Sequence, residues 1–406
     1  MKKLFIVLSI FLIPVAALAI SSDPTETCVG ARPMGMGRAF LGMQGDGSNL
    51  FLNPAGLGNS RSFKLVSMSG KLLNDVDYIT LGVANPFNFG VVGLSYVSQG
   101  VAGIQLTSAV GNTIEATGQS TDYLNSVMMI TLAREFPFPI PVLKDSNMGV
   151  NLKYYSQGFS GASGSLEGGS GTGFDMDLAF QFEPSPFLTW GINMQNILSL
   201  GFNWGTGRKE DIATIYKLGG AFKVLGRDGW KDFPNDLTIT VDTDLTAEKS
   251  QVWHVGCEFW PGEYLAIRGG VDQSAGAGGV ANNLTAGVGL KAGGFTFDYA
   301  YHQYGDISGN STSYFSIGYV GRETFRWVEQ RPTPVPPPPV ELKEAPVVPD
   351  TGSGLSPEEE LMAAKIRAYI RTLQKKLASA KTAARKKKLK LMIKAEQKRL
   401  KALLGE

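Results

Sequence analysis

From about residue 61 to residue 320 the chain alternates apolar and polar residues with period two, and no other feature leaves it fewer ways to fold. The alternation comes in fourteen runs, centred on Lys64 to Gly70, Tyr78 to Ala84, Gly90 to Val97, Leu124 to Ala133, Met148 to Tyr155, Phe174 to Phe182, Leu188 to Asn196, Ile215 to Val224, Leu237 to Leu245, Val252 to Trp260, Tyr264 to Val271, Leu284 to Leu290, Phe295 to Tyr301 and Ser313 to Val320. Alternate side chains of a strand point to opposite faces. Phe174, Met176, Leu178, Phe180 and Phe182 therefore share one face while Asp175, Asp177, Ala179 and Gln181 share the other. The greasy face is almost free of charge, and runs of roughly nine to eleven residues suit a tilted strand crossing a bilayer.

Alternation by itself fits a soluble sandwich as well as a membrane barrel. The connections favour the barrel. Links after even-numbered runs are mostly tight, as at Asn85 to Phe89 and Ala292 to Gly294, whereas several links after odd-numbered runs read as long Gly/Ser/Asn-rich loops, as at Gln99 to Asp122, Gly158 to Gly173, Ser199 to Asp211 and Asp272 to Asn283. Short turns on one side, long loops on the other and an even strand number are barrel features. Aromatics near the strand ends, including Phe87, Phe89, Phe187, Trp230, Phe233, Trp260 and Tyr264, read as an interfacial girdle. The fold class expected is an all-β, antiparallel, transmembrane outer-membrane β-barrel of about fourteen strands, spanning residues 61–322.

The first residues, Met1-Lys2-Lys3, an apolar run to Leu18 and Ala17-Leu18-Ala19, read as a signal peptide over residues 1–19. Residues 20–60 read as a plug segment. Its glycines and prolines permit turns and close backbone approaches.

Beyond the barrel, residues 331–354 form a Pro-rich spacer around Thr333 to Pro339. Residues 355–406 read as a basic helix or helical hairpin, opened by Ser356-Pro357-Glu358-Glu359 and carrying the cluster Arg385, Lys386, Lys387, Lys388 and Lys390. That segment holds 15 Lys and Arg against 5 acidic residues, so the formal charge of +2 conceals a strongly basic tail behind an acidic barrel. Expected partners of the tail are cell-wall carboxylates, anionic lipid or a periplasmic protein, and an extended spacer would carry it into the periplasm. A secreted chain without aromatic interleaving in its basic run gives no reason to expect nucleic acid.

The charged residues expected to face the lumen are Lys153, Asp175, Asp177, Lys217, Asp242, Asp244, His254, Arg268, Lys291, Asp298 and His302. Mixed charges are the ordinary lining of a barrel, so neither the Asp-x-Asp pairs nor the two histidines imply catalysis. No metal-ligand spacing, cofactor motif or nucleophile arrangement is present, and an enzyme is not expected. Two cysteines, Cys28 and Cys257, specify no disulfide framework.

The plug carries a more specific pattern: Gly30-Ala31-Arg32, then Gly35-Met36-Gly37-Arg38-Ala39-Phe40, Asp46, and Asn53-Pro54-Ala55-Gly56-Leu57. This resembles the start of the PorV and PorQ proteins, which belong with the FadL-like outer-membrane barrels. Arg38 stands where a small residue is more usual. The resemblance implies an N-terminal segment folded into a barrel in the bacterial outer membrane, in contact with its lipid. It implies a channel or uptake protein for hydrophobic small molecules or, alternatively, a scaffold that binds exported proteins, as in type IX secretion.

Overall fold

The computed structural model describes residues 19–21, 23–27, 29–72, 75–111, 113–136, 146–160, 169–198, 200–247, 249–276, 279–305, 310–323, 356–378 and 383–404. The residues read as the body of the signal peptide, the Pro-rich spacer and Cys28 lie outside them. The chain divides into two units, residues 1–329 and 330–406.

Among the described residues the first unit holds seventeen strands: β1 (Ala19–Ser21), β2 (Ser62–Leu72), β3 (Val76–Phe87), β4 (Gly90–Val110), β5 (Thr113–Glu135), β6 (Ser146–Ser160), β7 (Gly171–Ser185), β8 (Leu188–Gln195), β9 (Phe202–Trp204), β10 (Lys209–Ile212), β11 (Ile215–Leu225), β12 (Asp236–Leu245), β13 (Val252–Trp260), β14 (Leu265–Gly276), β15 (Gly279–Ala292), β16 (Phe295–Gln303) and β17 (Ser311–Glu323). Fourteen of them, β2 to β8 and β11 to β17, pair antiparallel in chain order. β17 pairs back onto β2 from Tyr314 opposite Gly70 to Glu323 opposite Ser62, and β8 pairs β11, so the ring is closed. Closure satisfies the backbone without leaving an edge in contact with lipid.

The barrel is inside out relative to a soluble domain. Leu81, Ile130, Leu152, Phe174, Ile267, Leu290, Phe297 and Phe315 are exposed on its outer face, while Asp175, Asp177, Asp242, His254, Arg268 and His302 are buried inside. Phe87 stacks on Phe89 near the short-turn rim, where Trp230, Phe233 and Tyr264 are also exposed. Trp260 departs from the girdle reading. It shares the inward parity of His254 and Glu258 and lies under the Arg268 guanidinium, 5.8 Å from ring centroid to Cζ.

Two of the expected loops are instead strand. β4 and β5 continue through Gln99 to Asp122, with Val110 paired to Thr113, and β14 and β15 continue through Asp272 to Asn283. The reason is physical: beyond the bilayer the ladder needs only backbone groups, so the apolar face fades while the pairing persists. Within Ser199 to Asp211 lies a small hairpin, β9 with β10, and β1 adds to it in parallel.

β1 and β10 lie at the long-loop end, whereas the barrel's first strand begins at the short-turn end. Residues 23–60 therefore run down the lumen between them, as short turns: 3-10 turns at Pro24–Glu26 and Pro54–Leu57, and single helical turns at Ala31–Gly35 and Asn49–Leu52. Among the described residues, 23–60 form no strand ladder with the wall.

In the second unit, helices Pro357–Ala378 and Ala383–Leu403 pack through buried Ile370, Leu373, Leu389 and Ile393, with Ile366, Leu377 and Leu400 against them. The first helix is capped reciprocally: Ser356 N–H donates to Glu359 Oε2 (2.8 Å) and Glu359 N–H to Ser356 Oγ (3.4 Å). No helix among the described residues is long and apolar enough to cross a membrane.

Candidate functional site: the plugged lumen

The plug presents two different faces to the wall. Toward β2 to β5 it is mainly apolar: Leu50, Phe51 and Leu57 belong to one buried cluster with Val66, Met68, Tyr78, Val97, Val127 and Met129, and two hydrogen bonds cross, from the Tyr78 hydroxyl to Pro24 O (2.8 Å) and from Gly30 N–H to Met68 Sδ (3.2 Å). The buried polar residues of this wall, including Thr80, Ser95, Asn125 and Thr131, are uncharged except Lys64. Toward β6, β13 and β14 the contacts are ionic, backed by ion pairs within the wall.

Those ionic contacts form three groups. At the long-loop side, Lys153 Nζ lies 2.8 Å from Asp23 Oδ2, 2.9 Å from Asp177 Oδ1 and 3.0 Å from Asn196 Oδ1, and all three charged side chains are fully buried. Tyr155 also donates its hydroxyl to Asp23 Oδ2 (2.7 Å). At the centre, Asp272 Oδ1 lies 2.8 Å from His254 Nδ1, and Asp272 pairs with His302 Nε2 (3.1 Å) and with Arg38 (3.5 Å), while Lys217 pairs with Asp244 (2.9 Å). Toward the short-turn end, Arg32 binds Glu258 with two nitrogens (2.6 and 2.8 Å) and Asp46 with a third (2.8 Å). Arg268 binds the same Glu258 (2.7 Å) and Asp298 (2.7 Å). A planar guanidinium suits such forked binding.

Backbone anchors complete the seal. Asp242 Oδ2 accepts from Phe40 N–H (2.5 Å) and Leu41 N–H (2.9 Å), Ser316 Oγ accepts from Ala31 N–H (2.8 Å), and Thr285 Oγ1 accepts from Gly37 N–H (3.0 Å). Asn53 Nδ2 donates to Leu41 O (2.6 Å), Gln181 to Leu41 O and Met43 O, Asn193 to Leu52 O and Asn151 to Leu50 O.

Close approach is what the glycines supply. A Cβ on Gly37, whose φ is +61°, would lie 2.6 Å from Val271 O, and one on Gly35 would lie 3.1 Å from Gly287 Cα. The facing wall is also glycine: a Cβ at Gly270 would lie 2.5 Å from Gly37 N, and one at Gly256 or Gly191 would collide with Met36 O or Leu41 O. Gly149 makes the same room for Pro54 and Ala55, while Gly56 leaves space for the Asn49 amide. Gly30 (φ +123°) and Arg38 (φ +65°) are also in left-handed backbone; Met36 and Ala39 are fully buried.

Placement of the remaining residues is direct. Asp175 Oδ1 accepts from Met176 N–H and Leu198 N–H, and Lys291 opens onto a cleft of about 890 Å³ at the short-turn mouth, lined also by Lys223, Asp236 and Trp260. Lys386 and Lys390 are exposed on the second helix of the other unit. Cys257 is an exposed free thiol on the barrel's outside. Among the described residues no group of His, Cys, Asp or Glu could hold a metal ion. Glu258, Asp272, Asn151, Asn193, Thr285, Ser316 and the wall glycines escaped the sequence reading, although glycine recurring at inward positions of β13, β14 and β15 was a visible trace.

Asp23 gives the plug a measurable acid response. Burial alone would raise its carboxyl, but Lys153 beside it and the bonds from Thr25 and Tyr155 hold it down at about 2. A carboxyl lowered on folding stabilises the native state above its ordinary value of 3.8 and loses that contribution as the pH falls toward the folded value. Pepsin cleavage at Phe40 and Leu41 in the folded barrel is therefore expected to stay negligible at pH 4 and to appear as the pH falls toward 2. Equal protection at both pH values would remove Asp23 as an anchor.

No family model and no curated protein matches the chain. Solved structures share its outline. The Ralstonia pickettii toluene transporter TbuX aligns with a TM-score of 0.47 and 14% identity over 72% of this chain and 98% of that one. The Pseudomonas putida toluene transporter TodX aligns at 0.47 and 11%, over 75% and 98%. A Pseudomonas aeruginosa FadL homologue aligns at 0.45 and 11%, over 75% and 99%. The reading of function rests on this chain's own lumen.

Proposed function

We propose that the chain is a bacterial outer-membrane barrel of the uptake type, closed at rest, through which hydrophobic small molecules pass when the plug moves. The observation that carries this is the two-sided lumen. The plug is tied by ion pairs to β6, β13 and β14 and by N–H groups to the Asp242 carboxylate of β12, whereas against β2 to β5 it makes mainly apolar contact with two hydrogen bonds. Displacement from that side would open a route lined by Val66, Met68, Val97, Val127 and Met129 on the wall and by Leu50 and Phe51 on the plug. At rest the cavities beside Arg38 and Lys217, and beside Arg32 and Lys64, are about 10 and 40 Å³. Small-molecule sites occupy roughly 300 to 1,000 Å³, so passage requires the plug to shift.

The test ties plug to wall. Cysteines at Ala31 and Ser316, whose backbone nitrogen and hydroxyl are 2.8 Å apart, can be oxidised in cells supplied with a radiolabelled aromatic hydrocarbon. Uptake should stop on oxidation and return with reductant. Uptake indifferent to the crosslink would overturn the reading.

A second reading, the scaffold for exported protein implied by the PorV-like motif, is favoured by one observation: the far half of the β4–β5 hairpin is exposed along both strands, with Ile114 78% exposed. A two-stranded ribbon is marginal by itself, and a bound partner would steady it. Photocrosslinking from Ile114 should then capture an exported protein whether or not the plug is locked. Capture of none would end this reading.

A further inference from the structure

The helical pair of the second unit leaves an apolar strip uncovered on one of its two broad faces. Ala363, Ile366, Ile370, Leu373 and Leu377 of the first helix meet Leu389, Ile393 and Leu400 of the second in a small core. The helices are four residues apart in sequence and so run antiparallel. The residue just before a core position lies about 100° round the helix from it. In an antiparallel pair that offset turns both helices' residues to the same broad face. Met362 precedes Ala363, Tyr369 precedes Ile370 and Met392 precedes Ile393; these three are 57%, 46% and 38% exposed. Lys365 precedes Ile366 and Arg399 precedes Leu400, and both are exposed between and beside them. Of the residues that follow core positions, Arg367, Arg371, Gln374, Lys390, Lys394 and Lys401 are exposed and polar, and Ala364 is an exposed alanine. One face is thus hydrophilic apart from Ala364, and the other sets Met362, Tyr369 and Met392 beside Lys365 and Arg399, the latter 3.8 Å from the partly buried Glu396 one turn before it.

We propose that this second face docks an acidic amphipathic helix of a partner protein. The groove between two antiparallel helices is the seat of a third, packed ridge into groove. Met362 and Tyr369 are two turns apart, the spacing at which a docked helix presents residues i, i+3 or i+4, and i+7. Methionine adapts to whatever side chains arrive. Charge decides among occupants: the segment carries 15 basic against 5 acidic residues, so a second copy would bring like charge to like, and the occupant must supply Asp and Glu beside its apolar stripe.

The test uses the full-length protein in zwitterionic nanodiscs and a labelled designed helix with Leu at i, i+4, i+7 and i+11 flanked by Glu, against the same helix flanked by Lys. Fluorescence anisotropy should show binding of the Glu-flanked helix alone. M362S/Y369S/M392S and, separately, K365E/R399E should each weaken it at least tenfold, with circular dichroism unchanged. Equal binding of the Lys-flanked helix, or affinity unaltered in the triple variant, would overturn the proposal. So would uptake of the protein by phosphatidylglycerol vesicles that depends on Met362, Tyr369 and Met392 while the peptide fails to bind, since the face would then serve a lipid surface.

Discussion

Replacing Lys153 with methionine is expected to release the plug at its long-loop end and to cost about 3 to 5 kcal/mol, the usual consequence of removing one partner from a buried ion group. Methionine follows the lysine stem as far as Cε, so packing changes little. What is lost is the one cation between Asp23 and Asp177, which are fully buried carboxylates held 2.8 and 2.9 Å from its nitrogen. Two such carboxylates without a cation must take up protons or admit water, and Asp23, on the plug, is the one free to leave. Trypsin cleavage after Arg38 in the folded barrel, absent in the parent protein, should then become complete, Arg32 being protected by the proline that follows it. Adding Asp177→Asn should restore part of the protection, because a single carboxylate retains the Tyr155 hydroxyl as donor. A K153M barrel whose plug resists trypsin as the parent does would show that the ionic group does not hold the segment in place.

The second large effect is expected from the wall glycines. Valine at Gly191 would drive its Cβ into the Leu41 carbonyl, and valine at Gly270 would place its own 2.5 Å from Gly37 N before either methyl is counted. Both neighbours are backbone, so neither can swing aside as a side chain would. Overpacking ordinarily costs about 1 to 3 kcal/mol; at Gly191 only the plug is in the way, so relief comes by expelling it, whereas at Gly270 the Val255 carbonyl of the neighbouring strand, 2.6 Å from the new Cβ, must shift as well. The G191V/G270V protein should insert and remain heat-modifiable, yet conduct ions in planar bilayers where the parent is insulating. Gly276→Val, at a strand tip with nothing within 4 Å, serves as the matched control and should stay closed. A closed G191V/G270V barrel would mean that the plug does not seal the lumen by close backbone contact.

How much of this could be read from the sequence depends on the range of the interaction. Strand number, which faces are greasy and where the tight turns fall are consequences of neighbours two residues apart, and the runs from Lys64 to Gly70 through Ser313 to Val320 each became a barrel strand. The far parts of β4, β5, β14 and β15 did not announce themselves. Outside the bilayer a ladder is held by backbone alone, and residues such as Gly103, Ser108, Thr117 and Ser274 carry no periodic signature.

The plug shows the same division. Its glycines and its Asn53-Pro54 turn mark a compact segment, because a turn is a local matter. Which wall residue each plug residue meets is not local: Arg32 finds Glu258, Asp23 finds Lys153 and Phe40 finds Asp242, at separations of 226, 130 and 202 residues. Inward parity placed Lys153 and Asp242 inside the barrel, though Glu258 was not singled out, and mixed charges made mutual neutralisation the ordinary expectation. Only the closed ring fixes which partners face one another, since shear and register decide what stands across a lumen from what. The sequence alone determined a barrel with a polar interior and a segment able to fill it. The tertiary structure decided that the segment is held by charge on one side and by apolar contact on the other, because that asymmetry belongs to the arrangement of strands around the ring and to no single strand.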